Sequence, residues 1–150
     1  MDNSGVKLVL SFVRSYYALC IPMEKNIRQF GLTVSEFGVL EALLHKGDLP
    51  VQKLGRIILV TSGSMTYIVN KLEKRGYVEK YQCRKDGRIW YVKLTDQGYR
   101  FISRIFPEHE KFLNCLLSEI PQEKQKELIK ELLHFRRIIN HTAGSDSKSQ

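Results

Sequence analysis

The sequence predicts a mainly α-helical chain carrying one small β-hairpin, on three observations. Apolar residues recur at the 3.6-residue period over most of the 150 residues. That period gives way to alternation only after Gly76. There, Asp86-Gly87 separates two β-rich, aromatic-rich runs at residues 77–83 and 89–94, a strong hairpin signal. With 43% hydrophobic and 27% charged residues, the chain has the content of one globular domain with a single sizeable core. Disordered, collagen-like and disulfide-scaffold chains are excluded. Cys20, Cys83 and Cys115 are odd in number and far apart, so neither a disulfide framework nor a Cys-x-x-Cys site is written here.

The first helix is expected from Val6 to about Ile27, with Val9, Phe12, Val13, Tyr16, Leu19 and Cys20 at helical spacing and Pro22 kinking or restarting it. The second is marked at both ends. Thr33 and Glu36 form a capping-box pair, Leu32 and Phe37 a hydrophobic staple, and Gly47 a C-terminal stop. Its buried face is expected to be Phe37, Leu40 and Leu44. Pro50 suits the first turn of a short helix through Leu54 and Ile57 that breaks near Leu59 and Val60. A further helix starts at once, capped by Thr61 or Ser62, with the stripe Met65, Ile68, Val69 and Leu72 ending at Gly76. Two helices joined by a tight turn are the helix-turn-helix outline. The hairpin that follows makes it a winged helix.

Two more helices are expected, from Thr95 to about Ser118 and from Pro121 to about Ile139. Their apolar residues, among them Phe112, Leu116, Leu128, Leu132, Phe135 and Ile139, exceed what a small winged domain covers. With Val9 of the first helix they suggest a helical dimerisation bundle, packing within one subunit being the alternative. The division is then 33–94 for the winged helix, 4–30 and 95–140 for the bundle, and 141–150 as a disordered tail within a single domain. The longest apolar run, residues 18–23, falls far short of a membrane span, and Lys7 and Arg14 interrupt any secretory signal. A cytoplasmic location without membrane association is the resulting expectation.

Twenty-four Lys and Arg oppose sixteen Asp and Glu, for a net charge of +8. Residues 50–100 hold eleven of those cations against four of the anions, which favours a polyanionic partner over a merely solvated basic face. On the helix after the tight turn, Gly63, Tyr67, Asn70 and Lys74 lie opposite the apolar stripe, with Thr66 and Lys71 flanking. Ser62 and Ser64 suit phosphate, Asn70 an adenine edge, and Tyr67 either task. At the hairpin tip, Arg84, Lys85 and Arg88 suit a narrow, negative minor groove. Asp86 among them is read as orienting Arg88. A surface salt bridge of little energetic weight is its bland alternative.

The helix order, the segment TSGSMTYIVNKLEKRGYV at residues 61–78 and above all DGRIWYVKLTDQG at residues 86–98 resemble the MarR family of bacterial transcription regulators. Asp86 and Arg88 fall on that family's wing Asp-x-Arg, and Leu94, Thr95 and Gly98 on its Leu-Thr-x-x-Gly. The resemblance spans nearly the whole chain. It implies a homodimer on a pseudo-palindromic double-stranded DNA operator, usually a repressor released by a small phenolic molecule or by thiol oxidation. Gly87, where the family often has a second Arg, and the helix prolines Pro22 and Pro107 depart from the pattern. Residues 32–78 are similar to regulators of quinone and phenol detoxification, which implies a small aromatic inducer. Candidate ligand or sensor residues are Phe12, Tyr16, Tyr17, Cys20 and Phe37. Cys20 lies about one helical turn beyond the sensor position of the family's peroxide-sensing branch, and Cys83 has Arg84 and Lys85 beside it.

No His-x-x-x-His pair, serine elbow or phosphate-cradling glycine loop is present, so neither an enzyme nor a cofactor is expected. His45, His109, His134 and His141 have no ligand-like spacing, so no metal site is expected. The competing reading is a sequence-indifferent architectural DNA binder, which would track salt and discriminate little between sites.

Overall fold

The computed structural model describes residues 3–146, with side chains described as far as residue 143. Among them the elements run α1 (Ser4–Arg28), α2 (Val34–Lys46), β1 (Leu49–Pro50), α3 (Val51–Ile58), α4 (Ser62–Lys74), β2 (Val78–Gln82), β3 (Trp90–Leu94), α5 (Asp96–Leu116) and α6 (Gln122–Asp146). The chain divides into two compact units, with the boundary between Leu113 and Asn114 near the end of α5. α1 and most of α5 therefore fall in one unit with residues 33–94.

In this first unit, α2 forms where its ends are satisfied. Thr33 Oγ1 accepts from Glu36 N at 3.2 Å, and Glu36 Oε2 accepts from Thr33 N at 2.7 Å. Leu32 and Phe37, the staple pair, are each 3% exposed. The buried face of α2 is wider than its expected stripe. Val39, Ala42 and Leu43 are buried beside Phe37 and Leu40, while Leu44 is only half-buried, because α2 is covered by α1, α3, α4 and β3 together. Leu54 of α3, Met65, Ile68, Val69 and Leu72 of α4, and Ile102 and Ile105 of α5 complete the core. Each such side chain contributes about 1.5–3 kcal/mol by leaving water.

The sheet is antiparallel in the order β1-β3-β2, with Val78 opposite Leu94 and Gln82 opposite Trp90. Pro50, expected in the first turn of α3, instead pairs with Tyr91 in β1 and caps α3 from outside. Lacking an N–H, proline fits such an edge strand. Two glycines set the approach of α5. Gly76, at φ 73°, turns the chain after α4, and Thr95 Oγ1 donates to Gly76 O at 2.6 Å while accepting from Gly98 N at 3.0 Å. A Cβ on Gly98 would lie 1.8 Å from Tyr77 O. The Leu-Thr-x-x-Gly run thus encodes a contact only glycine permits.

α1 runs unbroken through Pro22 and α5 through Pro107, so neither proline ends or restarts its helix. Each removes one backbone hydrogen bond, and the buried residues Ile27 on α1 and Ile105 and His109 on α5 hold the adjoining turns in place. α1 also reaches a mean hydropathy of 1.3 over 18 residues, long and apolar enough by composition to cross a membrane. The sequence expectation missed this because Lys7 and Arg14 break its runs.

In the second unit, Gln125 Nε2 donates to Ile120 O at 2.8 Å and to Leu117 O at 3.3 Å, closing the turn before α6. That helix continues past the expected end near Ile139 as far as Asp146, so residues 141–146 are helical rather than the start of a disordered tail. Residues 141–143 contain no breaker, and Thr142 Oγ1 bonds back to Ile138 O at 3.0 Å. The rest of the expected tail, residues 147–150, lies outside the described residues.

Candidate nucleic-acid interface

The tight turn between α3 and α4 is made by Leu59 at φ 60°, with Val60 N bonded to Gly55 O at 3.1 Å. Thr61, not Ser62, is the N-cap of α4. Its Oγ1 accepts from Ser64 N at 3.3 Å and donates to Ser64 Oγ at 2.9 Å. The first turn, Ser62, Gly63 and Ser64, is exposed at the positive end of the helix dipole, where backbone N–H groups favour an anion. Thr66 and Lys74 are exposed, and Tyr67 projects with 69% of its surface in solvent. The apolar stripe beneath them is buried, so α4 presents one polar face.

Two candidate residues on α4 also have partners within the fold. Lys71 reaches back to the capping box, its Nζ 2.9 Å from Glu36 Oε1, and Glu36 is only 2% exposed. Burial pushes the Glu36 carboxyl up, but the Thr33 N–H and the Lys71 ammonium outweigh it and hold it below the ordinary glutamate value. Lys71 thereby joins the α2–α4 contact, while 45% of its side chain stays in solvent. Asn70 is half-buried, and its Oδ1 accepts from Lys80 Nζ at 2.7 Å.

The hairpin carries the wing cations. Arg88 donates to Asp86 from Nε at 3.0 Å and from Nη2 at 3.1 Å, and its backbone N–H adds a third bond at 3.0 Å. Those bonds from Arg88 lower the Asp86 pKa. Arg88 stays 91% exposed, a guanidinium held in place yet open to solvent. Gln82 Nε2 bonds to Gly87 O at 3.1 Å across the hairpin, and Arg84 and Lys85 are exposed at the tip. Between α3, α4 and the hairpin lies a groove of about 590 Å³ lined by Ser62, Thr66, Asn70 and Arg88. Gln52, Arg56, Lys80 and Trp90 line it too and were missed from the sequence. Arg56 and Lys80 had their charge as a signal; Trp90 had only the alternation of its strand.

The ligand candidates are not brought into one enclosed site. Phe37 is in the core, edge-on to the ring of His109 at 4.6 Å, whereas Phe12, Tyr16 and Tyr17 are exposed on α1. Tyr16 is within hydrogen-bonding reach of half-buried Cys20, which raises the tyrosine above its ordinary pKa. His109, 4% exposed, has Nδ1 2.7 Å from Asn26 Oδ1, and burial lowers its pKa. Cys83 is half-buried and Cys115 exposed. Of the dimer candidates, Val9 is exposed and Phe112 half-buried in the first unit; Leu116, Leu128, Leu132 and Ile139 are exposed and Phe135 half-buried in the second.

A capped helix with an exposed polar face, preceded by a tight turn and followed by an arginine-tipped hairpin, defines a winged helix-turn-helix DNA-binding protein. The chain belongs to the MarR family and is a MarR-type transcriptional regulator, not an enzyme. The family's profile matches residues 30–89. The chain is 35% identical over 133 residues to the HTH-type transcriptional regulator MhqR of Bacillus subtilis strain 168, covering 89% of this chain and 91% of that one. Among solved structures, it is similar to NadR in complex with 4-hydroxyphenylacetate (25% identity, TM-score 0.71, 83% of this chain and 88% of that one). The fold is shared with Sco3205 of Streptomyces coelicolor, a MarR family regulator in complex with DNA (20% identity, TM-score 0.81, 94% and 89% covered).

Proposed function

We propose that the protein is a cytoplasmic homodimeric repressor that binds a pseudo-palindromic operator and leaves it when a small phenolic or quinone-like molecule binds. The observation that carries the DNA-binding part is the shared groove. The exposed α4 face and the Asp86-anchored Arg88 flank one cleft, a spacing that suits a duplex held at adjacent major and minor grooves. Ser62, Gly63 and Ser64 take phosphate, Thr66, Tyr67 and Asn70 face bases, Lys74 flanks them, and Arg84, Lys85 and Arg88 take the wing contacts. Exposed apolar residues on α1 and α6 supply the dimer surface. The inducer class is supported by the similarity to NadR in complex with 4-hydroxyphenylacetate. Thiol oxidation at Cys20 is the second reading, favoured by the adjacent Tyr16 hydroxyl.

Operator selection from random duplex DNA, repeated with 4-hydroxyphenylacetate and with thiol-blocked protein, tests this. A palindromic motif released by the phenol even after thiol blocking is the expected result. Release only by an oxidant, and only with free thiols, would transfer the signal to cysteine. Binding that follows salt and enriches no motif would leave an architectural DNA binder instead.

A further inference from the structure

Asn70, Glu73 and Lys80 form a closed set across the joint between α4 and the hairpin. Lys80 Nζ lies 2.7 Å from Asn70 Oδ1 and 3.0 Å from Glu73 Oε2, while Lys80 N donates to Glu73 Oε1 at 3.3 Å. An ammonium has donors and no acceptor, so only the oxygen of the Asn70 amide can face it. The reverse orientation would set an NH2 against an NH3+. The amide NH2 is therefore the end left for the groove that Asn70 lines with Ser62, Thr66 and Arg88.

That orientation decides which base edge fits. An asparagine reads adenine by accepting from N6 and donating to N7, which needs both ends of the amide. Here one of the two acceptor sites on that oxygen is taken by an ammonium, so adenine N6 would bring a second donor up against a positive charge. Guanine offers two adjacent acceptors, N7 and O6, and no donor on that part of its edge, so it suits an amide that turns its NH2 to the groove with an ammonium beside its oxygen. The Lys80 ammonium beside it adds positive potential, which again favours acceptors. We propose that Lys80, anchored by Glu73, orients Asn70 to read guanine through its NH2 in each half-site. This deepens the proposed function and rests on α4 being the helix that enters the major groove.

Operator selection from random DNA with the full-length protein provides the test, using wild type, Asn70→Ala, Lys80→Met and Lys80→Arg. Each variant is first matched to wild type in thermal unfolding and oligomeric state. Wild type is expected to select guanine at one symmetric position per half-site, and Asn70→Ala to lose about tenfold of the preference there while other positions keep theirs. Lys80→Met frees the amide to turn and should admit adenine alongside guanine at that position. Lys80→Arg keeps a donor on Oδ1 and should keep guanine. Wild-type selection of adenine, a uniform loss across sequences in Asn70→Ala, or an unchanged guanine preference in Lys80→Met would overturn the proposal. Failure of wild type to select any motif would instead overturn the parent reading.

Discussion

Arg88 and Lys71 are both cations of the basic middle third, yet their surroundings assign them different work. Arg88 is 91% exposed with its fork set by Asp86, whereas Lys71 is ion-paired to a carboxylate buried in the core. Arg88→Ala should weaken operator binding and reduce the slope of log K against log salt by about 1, as expected for one lost phosphate-region contact. Lys71→Met should leave that slope unchanged and lower unfolding stability by about 1–2 kcal/mol, because it takes a partly solvent-screened ammonium from a buried carboxylate that keeps its Thr33 N–H bond. Salt titrations of operator affinity together with denaturant unfolding would separate the two; equal slope changes would return Lys71 to the DNA face. Composition could not draw this distinction. Counting charges located the basic region, but Lys80, Lys93 and Arg75 are also turned to partners within the fold, to Glu73, Glu79 and the Gly31 carbonyl. Asp86 beside Arg88 was legible because a two-residue spacing in a turn leaves few alternatives. The partner of Lys71 was not, because Glu36 already had a complete local explanation in the capping box.

At the scale of elements, what was readable had a local cause. The capping box of α2, the stripe of α4 and the hairpin turn depend on neighbours within a few residues, and each is found where its pattern lies. β1 was missed because two residues carry no period, and its pairing partner β3 is forty residues further on. Gly98 illustrates a long-range demand hidden in a short motif. A Cβ there would lie 1.8 Å from Tyr77 O and 2.7 Å from Tyr77 C, backbone atoms that have no rotamer to yield. Gly98→Ala should therefore cost about 3 kcal/mol in denaturant unfolding, well beyond a helix-propensity effect, which would favour alanine. A neutral result would mean that α5 can shift without penalty. α5 also carries His109, whose burial keeps the imidazole below the ordinary histidine pKa. The folded protein then binds fewer protons than the unfolded chain at mildly acid pH. Stability tied to neutral His109 is full above the unfolded value of about 6.5 and declines as pH falls below it. Urea midpoints should drop between pH 7.5 and 5, and His109→Gln should flatten that drop. Parallel pH profiles for the two proteins would remove His109 from the account.

The whole molecule poses a question its single chain does not answer, namely what covers its apolar surface. On α1, Val6, Leu8, Val9, Leu10 and Phe12 are each at least 45% exposed; on α6 so are Ile129, Leu132, Ile138 and Ile139. Scattered exposed leucines are ordinary, but so many exposed apolar residues on each of two helices of this length mark surfaces meant to be covered. The mean hydropathy of α1 admits a membrane as the cover by composition alone, and the family membership of the whole chain argues for a second copy. The same sequence pattern that suggested helices too apolar for one winged domain could not distinguish packing within a chain from packing between chains, because amphipathic period is identical in both. Val9→Asp and Ile139→Asp, made separately, distinguish the two. If these faces join two copies, each substitution should shift the protein from dimer to monomer in light scattering at micromolar concentration while leaving the helical signal in place. Operator affinity should then fall by about a hundredfold or more, since two linked half-site contacts become two independent ones. A variant that stays dimeric with full affinity would place its residue outside the interface. A variant that is monomeric yet binds the full operator as tightly as wild type would mean that one winged helix suffices, and the palindromic operator would no longer follow.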